Sequence, residues 1–434
     1  MNKKHLVVIS VDALVYEDLE YAKTLPNFKR LLDGGSIIKR VKTIYPSLTH
    51  PVHASILTGA PAGKTGIVRN ERLNPGKNNA PWYNFLSEIE CDTILHAAKR
   101  AGVTTAVSTW PVTAKGGDVI DYLIPGVLNS YYEDGVSVLD TYRKYGASEC
   151  LIDIIEEGIS RFGSKDVHPE YDAFQVFCAS EIIKRFKPGL TLVHPSFVDN
   201  ARHRTGLFTE RVTEAVRVTD SWIGEILAAI DEAGISDTTS VAVISDHGQL
   251  GITRKISPNV LLADRGFIKT DSDGNLLEWK AYAASGGLSA HVYLRDPNDK
   301  ELYSEVYKYL KELERDKLCG FERVFTKEEV EAVYGLSGDF SFVLETDGYS
   351  SFSEEIVRPI VREIDITDYR TGAATHGHMP EKGPQPPAIF WGEGFVSGVE
   401  IESGSILDHA PTFAKLLGLE LYDAEGVARE ELLK

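Results

Sequence analysis

The chain has 434 residues, 43% of them hydrophobic and 25% charged, the balance of an ordinary soluble globular protein with room for more than one core. Its formal net charge of −18 excludes a nonspecific binder of nucleic-acid polymers or anionic membranes, since both need clustered positive charge. No run of 18 or more apolar residues occurs, so no transmembrane helix is expected.

Met1-Asn2-Lys3-Lys4 leads straight into His5-Leu6-Val7-Val8-Ile9-Ser10, an apolar run too short for a signal-peptide core and lacking a small-residue cleavage site. Cys91, Cys150, Cys178 and Cys319 are scattered without CxxC or CxxH spacing and read as reduced thiols. The expected compartment is therefore the cytoplasm.

In chain order, Leu6 to Val11 reads as a strand buried on both faces. Leu25 to Leu32 reads as a helix with Pro26 near its start and Gly34-Gly35 stopping it. Thr104 to Ser108 is a second strand, and helices follow around Cys150 to Phe162 and Ala173 to Phe186. Thr191 to His194 is a third strand. A long amphipathic helix then puts Val212, Val216, Ile223, Ile226 and Ile230 on one face and ends at Gly234. Val241 to Ser245 is a fourth strand. This alternation predicts an α/β fold, a largely parallel central sheet with helices on both faces.

Beyond about residue 260 the pattern changes to short polar strands punctuated by Asp271-Ser272-Asp273-Gly274 and Asp296-Pro297-Asn298-Asp299, then a charged helix near Glu301 to Leu313. Residues 265–370 are read as an inserted cap, leaving 1–264 and 371–434 as the core. Core character returns with Ala388 to Trp391 and a helix from Ala410 to Leu417 closed by Gly418.

Three buried strands end in acidic or histidine side chains. The first ends at Asp12, the third leads to Asp199 and His203, and the fourth ends in Asp246-His247-Gly248. In open α/β sheets, ligands bind outside the carboxyl ends of the strands, so these groups should converge on one edge. Asp and neutral His suit zinc, and a helical turn would aim Asp199 and His203 at one ion. The flanking Arg202 and Arg204 would equally suit a solvated loop histidine at 203. His376, in Thr375-His376-Gly377-His378, is a further candidate in a glycine-flanked loop. His291, in a strand of the cap, is left out.

The most informative segment runs Tyr45-Pro46-Ser47-Leu48-Thr49-His50-Pro51-Val52-His53-Ala54-Ser55-Ile56-Leu57-Thr58-Gly59. Pro51 suits a first helical turn, which places Thr49 just before a helix N-terminus, where orphan amides favour an anion. A hydroxyl there can also be an ordinary N-cap.

This segment, with Gly66-Ile67-Val68-Arg69-Asn70 after it, resembles the nucleotide pyrophosphatase/phosphodiesterase family of the alkaline phosphatase superfamily. The ordered set Asp12, Thr49, Asn70, Asp199, His203, Asp246, His247 and His376 extends the resemblance over most of the chain. It implies an alkaline-phosphatase-like fold with two Zn2+ per chain. Asp12, Thr49, Asp246 and His247 would hold one ion, and Asp199, His203 and His376 the other. It also implies a phospho-threonine intermediate on Thr49, with Asn70 binding a nonbridging phosphoryl oxygen, and a small phosphate diester or nucleotide-like substrate.

The chain departs from the family's pattern near the substrate. His50 stands where an aromatic residue often follows the nucleophile, Val52 where Asn is frequent, His194 where Tyr is common and Arg202 where Gly is frequent. Trp110-Pro111 resembles a family segment, so His50, Trp110 and His194 are expected at the substrate pocket. Superfamily monoesterases add cations near the nucleophile or after the strand ending at Ser108. Here the first cation after that strand is Lys115. A phosphonoacetate-hydrolase-like phosphonatase, a phosphomonoesterase and, from another class, an inactive metal-binding protein are the alternatives.

Overall fold

The structure is a computed structural model, described here for residues 4–77, 80–127, 129–163, 167–317, 319–368 and 372–434. Its centre is an eight-stranded sheet. Six of the strands come from the first 244 residues: β1 (His5–Ser10), β2 (Ser36–Lys42), β3 (Thr105–Ser108), β4 (Tyr122–Ile124), β5 (Leu190–Val193) and β6 (Thr239–Ile244). Strands Ala388–Gly392 and Glu400–Ser405 complete it. Across the sheet the order is Glu400–Ser405, β2, Ala388–Gly392, β6, β1, β5, β3, β4. Only Ala388–Gly392 runs antiparallel to its neighbours. The sheet is therefore largely parallel, as the alternation of strands and helices implies.

Alternation along β1 shows why its run is continuously apolar. Leu6 and Val8 enter the hydrophobic cluster on one face, and Val7 and Ile9 the cluster on the other. Ala242 and Ile244 of β6 share the first cluster, Val241 and Val243 the second. The second face is covered by helix Glu210–Glu232, whose Val212, Val216, Ile223, Ile226 and Ile230 are all buried there. Gly234, at φ +67°, follows this helix, as expected. Helices Ile152–Phe162 and Glu170–Phe186 cover the edge formed by β3 and β4.

Between residues 281 and 346 a second, antiparallel sheet orders its strands Ala281–Gly286, Ser289–Leu294, Phe342–Thr346 and Phe321–Thr326. Helices Lys300–Asp316 and Lys327–Tyr334 accompany it. Its Tyr282, Val292 and Leu344 belong to the same cluster as Leu6 and Val8, so apolar packing is continuous from this sheet into the central one. Strand Arg254–Ile256 pairs with both Ser350–Phe352 and Val361–Arg362.

One buried carboxylate joins two elements of the core. Asp220, in helix Glu210–Glu232, accepts the backbone N–H groups of Asn27 at 3.0 Å and Phe28 at 2.7 Å, the first turn of helix Pro26–Gly34. Leu25, at that helix's N-cap position, makes no side-chain cap hydrogen bond. Asp220 supplies the acceptor from another helix. Asp220→Ala should cost about 3 kcal/mol, the scale of losing charge-assisted bonds to buried donors. Urea unfolding would measure it, and an unchanged midpoint would refute this capping role.

Candidate active site

β6, β1 and β5 are adjacent and parallel, so the residues that follow them emerge side by side. Asp12, His194 and Asp246-His247 stand at these ends. The ladder continues one step further, because the Val11 N–H donates to Ile244 at 2.8 Å and the Asp12 N–H to Pro195 at 3.0 Å. Asp246 is fixed by two backbone donors to Oδ1, from Ala13 at 3.1 Å and His247 at 3.0 Å. Its Oδ2 lies 3.2 Å from His247 Nε2, which is also 3.6 Å from Asp12 Oδ1.

A second group gathers beside the first. Asp199 and His203 lie one turn apart on helix Phe197–Thr205, with Asp199 Oδ2 3.3 Å from His203 Nε2. His376 Nε2 reaches Asp199 Oδ1 at 3.9 Å. Despite its charged neighbours, His203 is buried. Arg202 is buried too and pairs with Asp18. The Nδ1 atoms of His203 and His376 meet the carbonyls of Ala374 at 2.7 Å and Ser47 at 3.0 Å. Such bonds fix the ring orientation and leave Nε2 as the coordinating atom.

The His376 loop is locked by close packing. Its carbonyl accepts from the Leu288 N–H at 3.0 Å, and the Gly377 N–H donates to Ser47. Gly377 has φ +96°, and a Cβ there would stand 1.9 Å from the Gly286 carbonyl oxygen. Only glycine fits this position. The rings of His247 and His376 stack at 3.9 Å, which places the two groups in contact.

The electrostatics of the first group call for a cation, and the second group balances a carboxylate against histidines. Burial pushes the Asp12 carboxyl well above the usual carboxylate range, and Asp199 and Asp246 add to the push. Asp246 is pushed up to about 6, mainly by burial. Burial also acts on Asp199, but His203, His376 and His247 outweigh it and hold that carboxyl well below its usual value. Burial brings His247 down to about 3, and burial with the nearby His247 brings His376 well below its usual value, so both rings are neutral donors. At His203, burial works to lower the value and Asp199 more than reverses it. Asp12 Oδ1 and Asp246 Oδ2 are buried without a hydrogen-bond donor. Each triad can bring one ligand atom per residue to within 4.8 Å of the others. Two sets of Asp and His, the first with unsatisfied carboxylate oxygens, fit zinc.

Thr49 is the first residue of helix Thr49–Thr58, one position later than the expected cap, and Leu48 holds the extended N-cap conformation. Its Oγ1 lies 3.2 Å from His247 Nε2. The His50 N–H donates to Asn70 Oδ1 at 2.9 Å, which fixes the Asn70 amide beside the same turn. Thr49, Asn70, Asp199, His203 and His376 line one cleft of about 550 Å3.

His50, Trp110 and His194 are not among the described residues lining that cleft. Trp110 is 1% exposed and packs edge-on against His53 beneath the site. His194 Nε2 lies 3.4 Å from Asp12 Oδ2, beside the first group. His50 is buried and sets its ring against Trp82 at 4.8 Å, and Trp82 reaches the cleft. Lys115 lies elsewhere, with its ammonium over the Phe85 ring. The cleft's lysines are Lys77 and Lys255. Sequence reasoning also missed Gln249, which bonds Asp199, and Tyr282 on the cleft wall. Gln249 follows Asp246-His247 so closely that proximity alone could have marked it.

Comparison with known proteins agrees with this geometry. A family model described as type I phosphodiesterase / nucleotide pyrophosphatase matches residues 6–377. Venom phosphodiesterase of Naja atra is 22% identical over 264 residues, 58% of this chain and 27% of that protein. Human ectonucleotide pyrophosphatase/phosphodiesterase family member 1 is 23% identical over 255 residues, 56% of this chain and 23% of that protein. The match thus spans about a quarter of the length of these two relatives. Murine ectonucleotide pyrophosphatase/phosphodiesterase 5, solved as an inactive variant in complex with AMP, aligns over 100% of both chains with a TM-score of 0.66 and 18% identity. The human counterpart aligns over 99% of this chain and 100% of that chain, with a TM-score of 0.66 and 18% identity. The fold is the alkaline-phosphatase-like α/β fold, and the chain belongs to the type I phosphodiesterase / nucleotide pyrophosphatase family.

Proposed function

We propose that the chain is a two-zinc hydrolase of phosphodiester or pyrophosphate bonds that works through a phosphorylated Thr49. One observation carries this reading: Thr49 Oγ1 lies 3.2 Å from His247 Nε2, at a helix start, in a cleft shared with the second triad. Asp12, Thr49, Asp246 and His247 would hold one ion, and Asp199, His203 and His376 the other. When bound, the ions would lower the pKa of the threonine hydroxyl and offset negative charge on the transferring phosphoryl group.

Thr49 Oγ1 gives up its proton and bonds to phosphorus as the bond to the leaving oxygen breaks and that oxygen takes up a proton. Water then cleaves the Oγ1–phosphorus bond, leaving its oxygen on phosphorus and a proton on Oγ1. Asn70, whose Oδ1 is engaged by the His50 N–H, turns its amide donors toward a nonbridging phosphoryl oxygen. In this reading, residues 265–370 are a cap inserted between core segments 1–264 and 371–434.

The substrate we infer is a small diester, such as a nucleotide-like molecule. Trp82, Tyr282 and Phe352 give the cleft an apolar, aromatic wall for an organic substituent. Lys255 is paired with Asp368 at 2.6 Å, and Glu71, Glu354 and Glu355 also line the wall. Such a wall suits the single charge of a diester better than a dianionic monoester. Among the described residues, no helix is long and apolar enough to cross a membrane. The free state of Cys91, Cys150, Cys178 and Cys319 supports a reducing compartment, and hence the cytoplasm.

Three measurements test this reading. Removing metal with a chelator should abolish activity and lower the melting temperature, with zinc restoring both, because a ligand bound only by the native state stabilises it. Full activity in metal-free protein would refute the two-zinc assignment. Thr49→Ala should lower kcat by on the order of 10³-fold while zinc content stays near two per chain. A near wild-type rate would make water, not Thr49, the nucleophile. Finally, bis-p-nitrophenyl phosphate should be cleaved with higher kcat/KM than p-nitrophenyl phosphate. The reverse order would point to a monoesterase or phosphonatase, with Lys255 as the charge-reading side chain.

A further inference from the structure

Gln249 stands three residues after Asp246, at the end of the loop that supplies the first triad, yet its side chain serves the second. It is fully buried. Its Nε2 donates to Asp199 Oδ1 at 2.5 Å and to the Asp199 carbonyl at 3.2 Å. Both partners are acceptors, so the amide must present its nitrogen to Asp199. The next two residues continue the same work. Leu250 and Gly251 pair with Thr375 and Ala374, the residues that lead into His376. Segment 246–251 therefore holds two of the three members of the second triad from behind.

The bond falls on one particular oxygen. Asp199 Oδ1, 3.9 Å from His376 Nε2, accepts from Gln249, whereas Oδ2, 3.3 Å from His203 Nε2, takes no bond from it. A carboxylate tied at one oxygen presents the other to an ion. Released, it can rotate and offer both. For zinc this difference decides the coordination number. One oxygen and two imidazoles leave a fourth position open, and two oxygens fill it.

We propose, on the two-zinc reading above, that Gln249 is a positioning residue that keeps Asp199 a single-oxygen ligand and so keeps one coordination position open at the second site. Gln249→Met preserves volume and removes the donor. Gln249→Asn keeps an amide but shortens its reach.

The test uses full-length protein loaded with zinc, then with cobalt(II) as a spectroscopic probe. In competition with a chromophoric chelator, both variants should hold one ion as wild type does and the other roughly 10- to 100-fold more weakly, the usual effect of losing a bond to a ligand. Retention of the first ion also reports that the core is folded. The visible cobalt bands of the variants should shift, because a carboxylate oxygen takes the fourth position that wild type leaves to solvent. Two ions held with wild-type affinity and unchanged cobalt bands in both variants would overturn the proposal while leaving the two-zinc reading intact. Failure of the wild-type protein to bind two ions would overturn both.

Discussion

Two buried carboxylates, a partly buried third and three buried imidazoles gather at one edge of the central sheet, and that burial governs the rest of the design. Removing a carboxylate from water costs several kcal/mol unless positive charge or well-aimed donors meet it. Asp246 receives two backbone N–H groups on one oxygen, Asp199 receives the Gln249 amide, and Asp12 keeps a buried oxygen with no donor. The donors hold the carboxylates in place without satisfying them fully. The remaining negative charge is what a bound dication would compensate, and on the two-zinc reading the ions would let a chain of net charge −18 attract a phosphate anion.

The strand order follows from the same demand. With β6, β1 and β5 adjacent and parallel, Asp246, Asp12 and the Asp199 helix emerge next to one another, so short loops suffice to aim their side chains. The antiparallel sheet of residues 281–346 does more than cover the cleft. Its turn at Gly286-Gly287 packs directly on the His376 loop, and Leu288 bonds the His376 carbonyl. His376 is thus held in place by an element that also lines the cleft. The stacked rings of His247 and His376 make the two candidate groups mechanical neighbours as well as electrostatic ones.

Much of this was legible from residues close in sequence. The apolar runs of β1 and β6 and the acidic residues at their ends marked Asp12, Asp246 and His247, and helical spacing marked Asp199 with His203. These features depend on strand and helix periodicity, which any single sequence displays. His376 offered no periodicity, only a glycine-flanked loop, and needed the family resemblance to be chosen. The substrate wall was less legible. Trp110 and His194 are the right residue types beside the right strands, but burial of an aromatic ring does not say which side of a strand end it fills. Trp82, Tyr282 and Lys255 reach the cleft only because distant segments dock there, and no local pattern encodes that docking. Arg202 shows the opposite error. Its charge suggested solvent around His203, whereas its pairing with Asp18 allows both side chains to be buried.

The late position of His376 sets an order of assembly. Every protein ligand of the first triad lies within the first 247 residues, whereas the second triad is incomplete until residue 376 is present. As the chain leaves the ribosome, it can close the Asp12–Asp246–His247 cluster more than a hundred residues before it can close the other. On the two-zinc reading, an ion at the second site would act as a clasp between the 199–203 helix and the His376 loop. Its occupancy would be linked by mass action to the docking of that loop, so metal supply and folding would become one equilibrium.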